Sequence, residues 1–174
     1  MSLARVAILP VIATMISMGV KIRWAPFHST IYPYTISQPS SFTHGILPTP
    51  SGQQGDFFFP ALGSFTTGLN IVAEPLKTDP PPADAVYLRS TGGKQVQAAS
   101  FVTIMKHRSL MYRANYAGLA GHWTEERLSF AANGYYWHIT VSYAYKYRSM
   151  RSLMIRMVQS FHTGGSLSKI KSNL

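Results

Sequence analysis

The side chains able to do chemistry are few in this sequence, and their spacing gathers almost none of them. The histidines are His28, His44, His107, His122, His138 and His162. No two of them fall in an HxH or HExxH pattern, so a metal site would need ligands from distant segments to converge. The acids are Asp56, Glu74, Asp79, Asp84, Glu125 and Glu126. Only Glu125 and Glu126 are adjacent, and neighbours on a strand point to opposite faces, which makes them a poor general acid–base pair. The chain has no cysteine, excluding disulfides, thiolate metal sites and cysteine nucleophiles. There is no GxSxG, P-loop or dinucleotide fingerprint, and Gly63 to Gly68 has glycine only at its two ends. The Tyr135-Tyr136-Trp137 cluster could stack a base or a pigment, although aromatics at strand spacing are more often core. The expectation is a protein that is not an enzyme, with no metal, no cofactor of its own and no small-molecule substrate.

Cations carry more information. The formal net charge is +10, from 16 Lys+Arg against 6 Asp+Glu, while charged residues make up only 13% of the chain. That is about half the share of an ordinary soluble domain, which suggests a surface covered by a partner or by lipid. Such a field attracts nucleic acid, anionic lipid or an acidic protein face. Zinc-finger spacing, an RNP-like aromatic motif and a helix-turn-helix are all missing, so nucleic acid is not expected. The docking candidates are Lys106, His107 and Arg108, joined by Arg113 and Arg127. The Lys-His-Arg trio reads as a turn at one end of a sheet, facing an acidic partner loop, lipid head groups or plain solvent. Arg148, Arg151 and Arg156 read as the wet face of a helix.

The elements that must position these groups begin with an uncharged run from Val6 to Val20, preceded by Arg5 and followed by Lys21, Arg23 and Trp24. Fifteen helical residues span about 22 Å against a hydrocarbon core of about 30 Å. Arg5 and Lys21 snorkelling, with Trp24 at the interface, make a crossing feasible. A cleaved secretory signal and a buried helix are the competing readings. Residues 1–23 are expected to be an N-terminal transmembrane anchor, 24–30 a linker, 31–163 an α+β domain and 164–174 a basic tail.

Within that domain, Tyr32 to Ile36 reads as a first strand and Pro39 to Gly55 as a Ser/Pro/Thr/Gly loop ordered only against a partner. Asp56 to Phe59 and Gly68 to Pro75 read as strands, Lys77 to Ala83 as a proline linker and Ala83 to Thr91 as a short helix. Ala99 to Met105 and Leu110 to Ala117 are strands. Trp123 to Phe130 and Tyr135 to Tyr143 flank Asn133-Gly134, the strongest short-range hairpin signal. Tyr135, Trp137, Ile139, Val141 and Tyr143 share one face of the last strand. Met150, Leu153, Met154, Met157, Val158 and Phe161 then follow helical spacing, so a helix from about Arg148 to Phe161 should lie on the sheet.

Four stretches together resemble the PsbP-like group, which shares its sandwich with the nuclear-transport factor Mog family. They are YTISQPSSF (Tyr34 to Phe42), FFFPALGSFTTGLNIVAEPLK (Phe57 to Lys77), NGYYWHITVSYAYKYR (Asn133 to Arg148) and MRSLMIRMVQSF (Met150 to Phe161). The resemblance implies an α+β fold, an antiparallel sheet flanked by helices. It also implies a non-catalytic accessory or assembly subunit of a photosynthetic membrane complex, on the thylakoid lumenal side. Its partners would be subunits of the complex and membrane lipid, with contact to pigment or lipid there. The lack of acids before Asp56 fits equally a supernumerary subunit of a respiratory or ATP-synthase complex in the mitochondrial inner membrane. A small-molecule or lipid-binding module is the third reading.

Overall fold

The computed structural model describes residues 22–48, 52–61, 67–76, 95–104, 107–118 and 121–163. Residues 1–21 of the anchor expected over 1–23, the proline linker over 77–83, the helix over 83–91, Lys106 and the tail over 164–174 lie outside them. Among the described residues no helix is long and apolar enough to cross a membrane.

Among the described residues nine strands form: β1 (Trp24–His28), β2 (Thr35–Pro39), β3 (Phe42–Pro48), β4 (Gln54–Pro60), β5 (Gly68–Pro75), β6 (Gln95–Ile104), β7 (His107–Gly118), β8 (Gly121–Ala132) and β9 (Tyr135–Ala144). A 3-10 segment (Tyr145–Met150) leads into the helix α1 (Arg151–Gln159). Strands β1 and β2 pair as a separate hairpin, and the other seven make one antiparallel sheet in the order β3-β4-β5-β9-β8-β7-β6. The chain therefore runs β3 to β5 as a meander, crosses to the far edge, and returns through β6, β7 and β8 until β9 zips onto β5. Asn133-Gly134 turns β8 into β9, both with positive φ (49° and 77°), as the expected hairpin turn requires.

One face of the sheet carries the main core. Leu69, Ile71 and Ala73 of β5 stand opposite Val141, Ile139 and Trp137 of β9, and Leu128 and Phe130 of β8 continue the row. Met154, Met157 and Phe161 from α1 and its C-terminal extension close over it, and none of the three is exposed. The hairpin completes that layer: Tyr34 stacks on Phe161 with ring centroids 5.1 Å apart and meets Trp137 edge-on at 5.7 Å. Ser160 Oγ accepts from the Ser37 amide, and Thr35 and His162 exchange both backbone bonds. Gly68 is required where β5 meets β4, because a Cβ there would sit 2.5 Å from the Phe58 carbonyl oxygen.

Four expectations are corrected. Residues 24–30 are not a linker: Trp24 to His28 form β1, paired along its length with Thr35 to Pro39. The strand expected at Tyr32–Ile36 lies at Thr35–Pro39 and is the second, β2. The loop expected over Pro39 to Gly55 contains β3, whose seven residues all pair with β4; the ladder outweighs a Ser/Thr/Pro-rich composition. His107 and Arg108 belong to β7, since the β6–β7 ladder extends to Ile104 opposite His107.

Candidate functional site

The polar chemistry of the molecule is organised around carboxylates that the sheet alternation buries. Glu125 and Glu126 do point to opposite faces, and each becomes the centre of its own network.

On the helix face, Glu126 is 2% exposed and takes bonds from three elements. Arg151, at the first position of α1, clasps it with Nε at 2.8 Å from Oε1 and Nη2 at 2.9 Å from Oε2. Arg113 of β7, directly opposite in register, donates from Nε at 2.9 Å, and the Tyr143 hydroxyl donates at 2.9 Å. Burial works to raise the Glu126 carboxyl, but the Arg151 and Tyr143 hydrogen bonds and the two guanidinium charges outweigh it and hold it below the usual carboxylate range. The same pairing raises Arg151, and burial beside the carboxylate raises the Tyr143 phenol. Arg151 is thus not part of a wet helix face. The spacing Arg151, Met154, Ile155 and Val158 puts it at the head of the buried stripe, a signal legible in the sequence.

On the other face, Glu125 accepts from the Tyr112 and Tyr116 hydroxyls at 2.7 and 2.6 Å. Arg127 Nε lies 3.8 Å from it and donates to Thr140 at 3.1 Å. Burial and the bond to Glu125 push the Tyr116 phenol up. Arg113 and Arg127 therefore occupy opposite faces of the sheet, each engaged with a buried glutamate.

The third buried carboxylate ties the hairpin to the sheet. Asp56 accepts from Ser29 Oγ at 2.5 Å, Tyr34 OH at 2.8 Å and His44 Nε2 at 2.7 Å. Burial, then the Asp56 charge, raises the Tyr34 phenol. Serine, histidine and aspartate meet here, yet Ser29 and His44 both address the carboxylate and not each other. A serine nucleophile needs the reverse order, with histidine between serine and acid. Ser129, His138 and Glu74 do stand in that order, with Oγ–Nδ1 at 3.0 Å and Nε2–Oε1 at 3.8 Å. Ser129 is only 1% exposed, however, so its hydroxyl is enclosed between β7 and β9. Among the described residues no three His, Asp or Glu side chains gather as a metal site.

Among the described residues the charge that faces solvent is mostly cationic. Of the four described acids, Asp56, Glu125 and Glu126 are buried; Glu74 is exposed. Arg23, Lys146, Arg148 and Arg156 are exposed, without a described carboxylate in salt-bridge range. Three of them lie over rings instead. Arg156 sits 4.4 Å from the Trp24 ring centre, Arg148 5.0 Å from Tyr145, and Lys146 5.0 Å from Tyr147. Tyr145 is 70% exposed and also accepts from Arg148 at 2.9 Å. Trp24, expected as an interface flank beside Arg23, packs against the core from β1 beneath Arg156. Arg5 and Lys21 lie outside the described residues. The Tyr135-Tyr136-Trp137 cluster is divided by the pleat: Trp137 is fully buried in the main core and Tyr136 is buried on the other face.

No family model matches the chain, and no curated protein matches it significantly. Solved structures do match. The solution structure of cyanobacterial PsbP from Synechocystis superposes with a TM-score of 0.62 at 15% identity, over 83% of this chain and 95% of that one. The fold is PsbP-like. A protein from Bacteroides thetaiotaomicron shares this PsbP-like fold with a TM-score of 0.56 at 12% identity; the likeness covers 80% of this chain and 48% of that one. The Ran-binding protein Mog1p of Saccharomyces cerevisiae matches at a TM-score of 0.48 and 10% identity, over 82% of this chain and 96% of that one. At these identities the likeness is one of fold. The α+β expectation stands in the form of a PsbP-like, mostly antiparallel sheet with a C-terminal helix.

Proposed function

We propose that this chain is a non-catalytic accessory or assembly subunit of a membrane protein complex. In this reading the N-terminal segment tethers it and its cationic surface docks it. The observation that carries the proposal is the division of charge. Three of the four described carboxylates are enclosed by the protein's own donors, and the exposed cations, with no described carboxylate in salt-bridge range, are open to an external anion. A photosynthetic complex is the first setting, supported by the fold shared with cyanobacterial PsbP. A mitochondrial respiratory or ATP-synthase complex is the second, supported by the absence of acids before Asp56. Lys106, His107 and Arg108 make a separate docking candidate at the β6–β7 end, and the chain takes no cofactor of its own.

Purification of the full chain from its own membranes in mild detergent, through a C-terminal tag, tests this. Photosynthetic subunits with chlorophyll absorption support the first setting, and respiratory or ATP-synthase subunits without pigment support the second. A chain that purifies alone overturns both.

A further inference from the structure

We infer that the outer surface of the 3-10 segment and α1 lies against an anionic lipid surface, holding the domain on the bilayer with this side down. Ser149, Ser152, Arg156 and Gln159 are exposed at helical spacing, and Lys146 and Arg148 extend the row. No acidic residue occurs from Tyr135 to the C-terminus, so this element offers an anion only attraction. The cations alternate with aromatic rings, Tyr145 and Trp24 among them, and Lys/Arg with Tyr/Trp is the chemistry of a head-group layer.

Chain continuity selects lipid over an acidic protein. The uncharged run Val6 to Val20 ends three residues before Arg23. Arg23 and Trp24 lead into β1, and Trp24 lies directly beneath Arg156. Whatever holds that run is therefore met first by this face. The inference rests on the proposed membrane tether and adds the orientation of the domain and the head-group chemistry. Basic residues near an anionic surface gain roughly fivefold in affinity each.

The test uses the full chain reconstituted into vesicles of neutral phosphatidylcholine, with or without about one-third phosphatidylglycerol, an anionic fraction large enough to set a surface potential. The chain has no cysteine, so Ser152→Cys on this face and His122→Cys at the exposed β7–β8 end each accept a single fluorophore. The inference expects the Ser152→Cys probe to be shielded from aqueous iodide and quenched by head-group spin-labelled lipid in anionic vesicles only. The His122→Cys probe should stay open. The combination Lys146→Ala, Arg148→Ala and Arg156→Ala should abolish the shielding at unchanged melting temperature. Equal access at both positions, or shielding that ignores lipid charge, overturns the inference. Shielding found only in the purified complex also overturns it, assigning the face to an acidic protein while leaving the subunit reading intact. A chain that purifies alone, yet is shielded on anionic vesicles, refutes the subunit reading and keeps the lipid face.

Discussion

Arg151 and Arg148 are three residues apart, identical in chemistry, and opposite in use. Arg151 opens α1 on its buried side and closes a bidentate bond on Glu126, where Arg113 and Tyr143 already converge. Arg148 lies in the preceding 3-10 segment, exposed, with a tyrosine ring for company. The difference is where the carboxylate went. With Glu126 enclosed by two arginines and a tyrosine, the buried region is a closed account of charge, and Lys146, Arg148 and Arg156 form an open one. A cation that serves the fold and a cation left exposed are thus separated by what lies across the sheet, and not by residue type.

The largest effect expected from breaking this contrast is on the buried side. Glu126→Ala leaves two guanidinium groups and a hydroxyl facing a site with no acceptor. It should cost about 2–4 kcal/mol, discounted from a fully buried pair because both guanidinium groups reach water. Urea unfolding monitored by tryptophan fluorescence measures it, and a loss under about 1 kcal/mol would make the network incidental to the fold.

Glu126→Gln sharpens the comparison through pH. A carboxyl held below its ordinary value of 4.5 contributes stability that is fully present above that value and is lost as pH falls through the lowered one. Wild type should therefore weaken on the acid side, while the glutamine variant, weaker near neutrality, should show a shallower acid slope. Denaturation midpoints between about pH 3 and 7 give both curves, and parallel curves would remove Glu126 as their source.

The smallest stability effect belongs to the open side. Arg148→Ala should shift unfolding by less than about 0.5 kcal/mol, because an exposed cation–π pair is worth little more. A larger loss in the same urea experiment would place Arg148 with the folding arginines.

What the sequence made legible follows from how local each feature is. Asn133-Gly134 and the alternation from Tyr135 to Tyr143 needed only neighbouring residues to be read, and both the turn and the buried face are found where expected. The helical stripe from Met150 to Phe161 was equally plain, apart from the 3-10 start. Strand β1 was missed because Trp24 to His28 owes its form to β2 and to the tilted and edge-on contacts of Phe27 with Tyr34, His44 and Phe58. Strand β3 was missed because Ser, Pro, Thr and Gly imitate a loop until β4 supplies the ladder. The fate of the arginines was the least readable. Arg113 and Arg127 looked like companions of His107 and Arg108, whereas the strand pleat and the pairing of β7 with β8 hand each to a different glutamate. Only register, a non-local property, decides that.

The most direct measurement is blue-native electrophoresis of mild-detergent membrane extracts, comparing wild type with the Lys146→Ala, Arg148→Ala and Arg156→Ala combination in the full chain. The account predicts wild type in a high-mass complex, and a variant with unchanged melting temperature that is depleted from it. A variant that stays fully in the complex would contradict the claim that the open cations, by seating the domain on the lipid surface, place it for assembly.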